Sequence, residues 1–145
     1  MQSMRLEYDF SLDDYDALWR EIADFQSFAS HHPYMRRVTP LPPSGEWRHY
    51  RVEEKLMLFG FIPQSPVYEV YTRIIDGRVE YASDVRGLQL RIVWELQRVE
   101  AKTGVLRWVE NVSVSGNRLF AWVFMRILRK AHVLVMDNLR KALQG

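Results

Sequence analysis

The end of the chain constrains the fold most. From Asn117 to Gln144 there is neither glycine nor proline, and apolar residues recur at helical spacing. Ahead of this segment, stretch after stretch alternates polar and apolar residues with the period of two that strands require. One long helix closing a run of antiparallel strands must bury its apolar stripe, and the sheet does this by curling around it. A sheet curled round a helix tends to leave a hollow, and hollows hold ligands.

The alternation can be followed strand by strand. Met4, Leu6, Tyr8 and Phe10 share one face, with Arg5, Glu7 and Asp9 on the other. Ser11 or Asp13 then caps a helix whose apolar stripe is Tyr15, Leu18, Trp19 and Ile22, extending to Phe25. A second short helix covers about Gln26 to Ser30 and ends before His31, His32 and Pro33. Pro40, Pro42, Pro43, Ser44 and Gly45 mark a turn. From Trp47 to Leu58 the inward set is Tyr50, Val52, Glu54, Leu56 and Leu58, and Phe59, Phe61 and Ile62 form an apolar loop after it. Tyr68, Val70, Thr72 and Ile74 face inward on the next strand, which the Asp76-Gly77 turn joins to a strand from Arg78 to Val85 carrying Tyr81 and Ser83 inward. Leu88, Leu90, Ile92, Trp94 and Leu96 follow, then Leu106, Trp108, Glu110, Val112 and Val114 after a turn at Lys102–Gly104. On the terminal helix one broad face holds Phe120, Phe124, Ile127, Leu128, Ala131, Val135, Asn138 and Ala142, and this face is expected to cover the sheet. Short turns between strands imply an antiparallel meander, because parallel strands need long crossovers. No repeat or linker divides the chain, so residues 1–145 read as a single α+β domain.

Composition narrows the function classes. With no cysteine, the chain has no disulfide framework, thiolate nucleophile or sulfur-ligated metal, which fits a reducing cytoplasm. No cleavable leader is read, since Met1–Phe10 already alternates as a strand, and no apolar run is long enough for a membrane span. A formal charge of +2 gives no general nucleic-acid footprint. The terminal helix is more basic, with Arg118, Arg126, Arg129, Lys130, Arg140 and Lys141 against Asp137; a solvated face is the plainer explanation, an anionic partner the other. His31, His32, His49 and His132 lack the spacing of a zinc site, so no metal or cofactor is expected, and the His31-His32 pair reads as a solvent-exposed loop.

The order of strand, two helices, about six strands and a long helix resembles the helix-grip fold of the START-like superfamily, which includes Bet v 1-like proteins, polyketide cyclases and ubiquinone-binding proteins. The resemblance spans nearly the whole chain. It is carried locally by the run from Leu18 to Phe25, by His32-Pro33 and by the terminal helix. Ser11–Asp14 stands where family members often have Ala-Pro. These motifs are structural, so no catalytic residue is carried over. The resemblance implies a curved antiparallel sheet of about six to seven strands around the helix, with a deep apolar cavity for a lipid or another hydrophobic small molecule.

Aromatic residues make up 13% of the chain, and such rings fill cores as readily as they line pockets. The expected cavity wall draws on Tyr50, Tyr68, Thr72, Tyr81, Trp94, Trp108, Glu110, Phe124 and Leu128. By parity Glu110 and Glu54 point inward. A carboxylate among aromatic rings loses solvation, which moves it toward acid–base use. Each equally suits a structural role at a sheet edge or beside an arginine. Three function classes follow: a carrier of a hydrophobic ligand, a cyclase or dehydratase using Glu110 or Glu54, and an interaction module with a filled cavity. Leu119, Trp122, Val133 and Met136 fall outside the helix's covering face. They suit contacts with the first two helices or a homodimer contact.

Overall fold

The structure is a computed structural model and describes residues 1–58 and 60–144. Phe59, grouped above with Phe61 and Ile62, lies outside the described residues. In chain order the elements are β1 (Gln2–Ser11), a 3-10 turn (Leu12–Asp14), α1 (Tyr15–Ala23), α2 (Phe25–Ser30), β2 (Met35–Ser44), β3 (Trp47–Glu54), β4 (Leu56–Leu58), β5 (Ile62–Gln64), β6 (Val67–Ile75), β7 (Arg78–Val85), β8 (Leu88–Arg98), β9 (Val105–Ser115) and α3 (Arg118–Gln144). Seven strands form one sheet in the order β1-β9-β8-β7-β6-β3-β2, every neighbouring pair antiparallel, while β4 and β5 make a separate small hairpin. This is the α+β helix-grip architecture, with α1, α2 and α3 on one face of the sheet.

Local chemistry sets the joints. Ser11 Oγ accepts from the Asp13 amide, and Asp24 Oδ1 accepts from the Gln26 amide, so the 3-10 turn and α2 each begin on a side-chain cap, whereas Asp14 at the start of α1 makes no such bond. Asp24 is itself extended (φ −109°, ψ 105°), which ends α1 and turns Phe25 and Phe28 into the core. Asn117 Oδ1 accepts from the amides of Leu119 and Phe120 at 3.0 and 3.2 Å, capping α3. Gly116 makes the corner before it at φ +136°. A Cβ there would lie 2.8 Å from Leu88 Cδ2, so the close approach of β8 requires glycine.

The alternation read from β8 and β9 holds. Leu88, Leu90, Ile92 and Trp94 are buried with Leu96 half-buried, and Leu106, Trp108, Glu110, Val112 and Val114 are all buried. Gln89 and Arg91 face solvent, while Glu95 is half-buried. On β6 the inward pattern lasts through Thr72, but Ile74, at the strand end, is 48% exposed.

Two readings are corrected. Pro40, Pro42, Pro43 and Ser44, read with Gly45 as a turn, belong instead to strand β2, Met35–Ser44, and the chain turns only at Gly45 and Glu46. Strand β2 is the last of the sheet, pairing only with β3 (Pro40 opposite Tyr50, Leu41 opposite His49). A proline cannot donate to a ladder, but an edge strand needs donors on one side only. The second correction is the rotation of α3. Ala121, Met125, Ala131, His132, Val135, Met136 and Leu139 are buried, whereas Phe120, Asn138 and Ala142 are exposed. Helix positions advance by about 100° each, so a covering face centred one residue later exchanges Phe120 for Ala121 and Asn138 for Leu139. Asn138 still finds a partner, donating from Nδ2 to the His31 carbonyl at 3.0 Å.

Candidate functional site: a cavity backed by a buried Glu–His pair

Between the sheet and α3 lies a cavity of about 140 Å³. Its sheet wall carries Tyr68, Tyr81, Leu90, Ile92 and Trp94, and its helix wall Phe124, Ile127, Leu128 and Ala131. Small-ligand sites commonly run to about 300–1,000 Å³, and this cavity is smaller. The reason is α2. Phe25 packs on Tyr50 and Tyr81 with ring centroids 5.2 and 5.7 Å apart. Phe28 packs on Trp94 and Trp108 at 4.7 and 6.3 Å. These two rings fill the rest of the space that the sheet leaves under α3.

The same packing sorts the residues singled out from the sequence. Tyr68, Tyr81, Trp94, Phe124, Leu128 and Glu54 are on the cavity wall. Tyr50, Thr72, Trp108 and Glu110 are buried but lie off the wall. Tyr50 is covered by Phe25 and Trp108 by Phe28, while Glu110 stands behind His132.

Glu110 and His132 form the buried pair at the back of the site. His132 Nδ1 lies 2.6 Å from Glu110 Oε2, with the two side chains 3% and 0% exposed. With the carboxylate ionised, Nδ1 carries the hydrogen and Nε2 is left to act toward other groups. His132 lines the cavity, so the pair reaches the cavity through the imidazole. Phe28 meets the His132 ring edge-on at 5.6 Å and holds its orientation. Tyr8 lies on β1 opposite Trp108; burial raises its hydroxyl above the usual phenol range, and the nearby Glu110 carboxylate adds to this.

A second imidazole adjoins the first, because His32 is buried and also lines the cavity. This corrects the expectation of an exposed histidine pair. His31 turns outward to Glu21 at 3.2 Å, and His32 turns inward, its ring perpendicular to that of His132 with centroids 6.0 Å apart. The Tyr34 amide donates to His32 Nδ1 at 3.1 Å. Burial, then the neighbouring His132, lowers His32 to a pKa of about 3, so it is neutral at pH 7. Among the described residues no group of three or more His, Asp or Glu side chains is arranged to hold a metal ion.

On the opposite wall the Tyr68 hydroxyl donates to Glu54 Oε1. Burial raises Glu54 above the usual carboxylate range, and the bond from Tyr68 partly offsets that rise. Burial also raises the Tyr68 hydroxyl, and the adjacent Tyr81 and Glu54 add to it. An apolar hollow therefore has two polar poles, an imidazole pair and a carboxyl–phenol pair.

Sequence reasoning found Glu110 and missed both histidines as site residues. Their signal was spatial: His132 falls on the 4-3 spaced stripe Ala121, Met125, Leu128, His132, Val135 and Leu139, legible once the helix is correctly phased.

No protein-family model matches the chain, and no curated protein matches it. Among solved structures it is similar to a START superfamily protein from Mycobacterium smegmatis, at 9% identity over 97% of each chain and a TM-score of 0.67. It is also similar to an aromatase/cyclase from a Streptomyces species, at 10% identity over 95% of this chain and 92% of that one, with a TM-score of 0.65. A two-domain aromatase/cyclase of the steffimycin biosynthetic pathway gives a TM-score of 0.70 at 12% identity; the match covers 97% of this chain and 46% of that one. No helix among the described residues is long and apolar enough to cross a membrane. The likeness is one of fold, and the chain shares the helix-grip architecture of these solved structures.

Proposed function

We propose that the protein binds a hydrophobic small molecule or part of a lipid in the cavity between the sheet and α3, as a binding or carrier module. The observation that carries this reading is the apolar hollow itself, walled by Trp94, Ile92, Phe124 and Leu128 and furnished with few polar groups. A hollow of roughly 150 Å³ accepts a benzene ring. The enclosed part of the ligand is therefore about one ring in size, and anything longer extends outward. Absence of cysteine makes the cytoplasm the compartment that fits best. The test is native mass spectrometry for a retained small molecule, followed by titration with the neutral fluorophore N-phenyl-1-naphthylamine. Leu128→Trp fills the cavity from a half-buried position, and the probe should then bind at least about tenfold more weakly with the circular dichroism unchanged. Equal binding by that variant would place the probe elsewhere and sink the reading.

The Glu110–His132 pair supports a second reading, an acid–base enzyme of cyclase or dehydratase type. A carboxylate that fixes one imidazole nitrogen leaves the other to exchange a proton with a bound molecule. In this version His132 meets the substrate and Glu110 positions it. Glu110→Gln would then retain probe binding and lose turnover of a test polyketide by about 10²–10⁴-fold. Turnover unchanged in that variant would exclude the pair from the chemistry.

A further inference from the structure

A second space adjoins the cavity. A groove of about 700 Å³ runs between the β4–β5 hairpin and α3 and shares Tyr34, Leu56, Leu58 and Ile127 with the cavity. The charged side chains on its wall are Arg126 and Lys130, one turn apart on the same face of α3. The cavity rim adds Arg86 from the β7–β8 turn, its Nη1 donating to Gln64 Oε1 at 2.7 Å.

This cluster is not balanced by its surroundings. Like charges at i and i+4 work against a helix by a few tenths of a kcal/mol. The neighbours three and four residues away from Arg126 and Lys130 include no acid. Among the described residues neither forms a salt bridge, and Arg126 instead stacks over the Trp122 ring at 4.9 Å. Among the described residues the one carboxylate lining either space is Glu54, which is on the cavity wall and bonded to Tyr68. The charged side chains of the groove are cationic, whereas the cavity beside it is mostly apolar and its two polar poles are each engaged in hydrogen bonds of their own.

We propose that the groove is an anion site, and that the ligand is an amphiphile: an apolar or aromatic body that enters the cavity, with a carboxylate, sulfonate or phosphate group left at Arg126 and Lys130. This rests on the cavity reading above and names its ligand class. The arrangement selects for charge at the outer end, because beyond the rim, where Arg86 lies, the buried wall offers an anion no Lys or Arg side chain and would strip its water.

Two fluorophores that share a skeleton separate the proposal from the reading beneath it. N-phenyl-1-naphthylamine is neutral, and 8-anilino-1-naphthalenesulfonate adds one sulfonate. The sulfonate should bind the wild-type protein about tenfold more tightly at low ionic strength, an advantage that shrinks in 0.5 M salt as the exposed charges are screened. Arg126→Gln with Lys130→Gln should abolish that advantage and leave the neutral probe's Kd unchanged. Arg129→Gln with Lys141→Gln, two exposed cations of α3 outside the groove, should preserve it. Equal affinity of the two probes overturns the anion site while the cavity reading stands. So does a loss as large in the Arg129/Lys141 variant, which would report bulk charge. Failure of both probes to bind the wild type overturns the cavity reading itself, and the anion site with it.

Discussion

Deleting His132 alone from the Glu110–His132 pair should cost more than deleting both members. His132→Leu leaves the Glu110 carboxyl at 0% exposure without its partner, and removing one member of a buried pair typically costs about 3–5 kcal/mol. Glu110→Leu leaves only a neutral imidazole N–H unpaired, a penalty of about 1–3 kcal/mol. The double variant removes both polar groups and fills the space with methyl groups, so it should lie within about 2 kcal/mol of the wild type. Even with the lowest single losses the coupling energy is then about 2 kcal/mol or more, in the upper part of what contacting residues show. For a chain of 145 residues, His132→Leu should lower Tm by about 10–15 °C, taking about 3 °C per kcal/mol. Urea melts at pH 7, read by tryptophan fluorescence and far-ultraviolet circular dichroism, give all four corners of the cycle. A double variant that loses the sum of the single losses would refute the pairing. So would a His132→Leu cost below about 1 kcal/mol.

Two further perturbations read the neighbouring groups. His32 has a folded pKa of about 3, depressed from the ordinary histidine value, so its contribution to stability is complete above about pH 6.5 and is lost as pH falls toward 3. His32→Asn keeps an acceptor for the Tyr34 amide and removes the titration; its stability relative to wild type should improve by about 2–3 kcal/mol between pH 6.5 and 4.5, and parallel urea-midpoint curves would contradict this. Phe28→Ala should cost about 3–5 kcal/mol and join the cavity to the space beside Trp108; calorimetry reads the first effect, and a lower Kd for N-phenyl-1-naphthylamine the second, whereas an unchanged Kd would mean that the core closes over the gap.

The fold was legible where one physical signal dominated. On β8 and β9 one face meets the core and the other meets water, so the period of two is written directly into Leu88–Leu96 and Leu106–Val114. On α3 the signal is blurred because apolar residues occur all round it: Leu119, Phe120, Trp122, Val133 and Leu134 are exposed while Ala121 and Ala131 are buried. Side-chain size therefore pointed to the wrong phase, and the rotation is fixed instead by contacts with the sheet, including the bond from His132 to Glu110. Strand β2 was hidden by its prolines, whose local chemistry signals a turn unless the position of the strand in the sheet is known. The site divides in the same way. Glu110 and Glu54 followed from parity, but His32 comes to lie beside His132 through the packing of α2, and nothing local to either residue records that meeting. The size of the cavity was equally out of reach, because it depends on how far Phe25 and Phe28 project into the core.

The prolines of β2 also affect how copies of this chain meet. A sheet left open at its sides can recruit strands from other molecules and grow into aggregates. Here one outer strand carries Pro40, Pro42 and Pro43, each unable to donate a backbone hydrogen bond to an incoming strand. At the other side α3 reaches across β1: Arg140 Nη2 donates to the Asp9 carbonyl at 3.1 Å, and Gln2 Nε2 donates to the Arg118 carbonyl at 3.1 Å. Both sides thus resist strand-to-strand association, and the exposed apolar side chains Leu119, Phe120 and Phe61 lie outside both outer strands, on α3 and the β4–β5 hairpin.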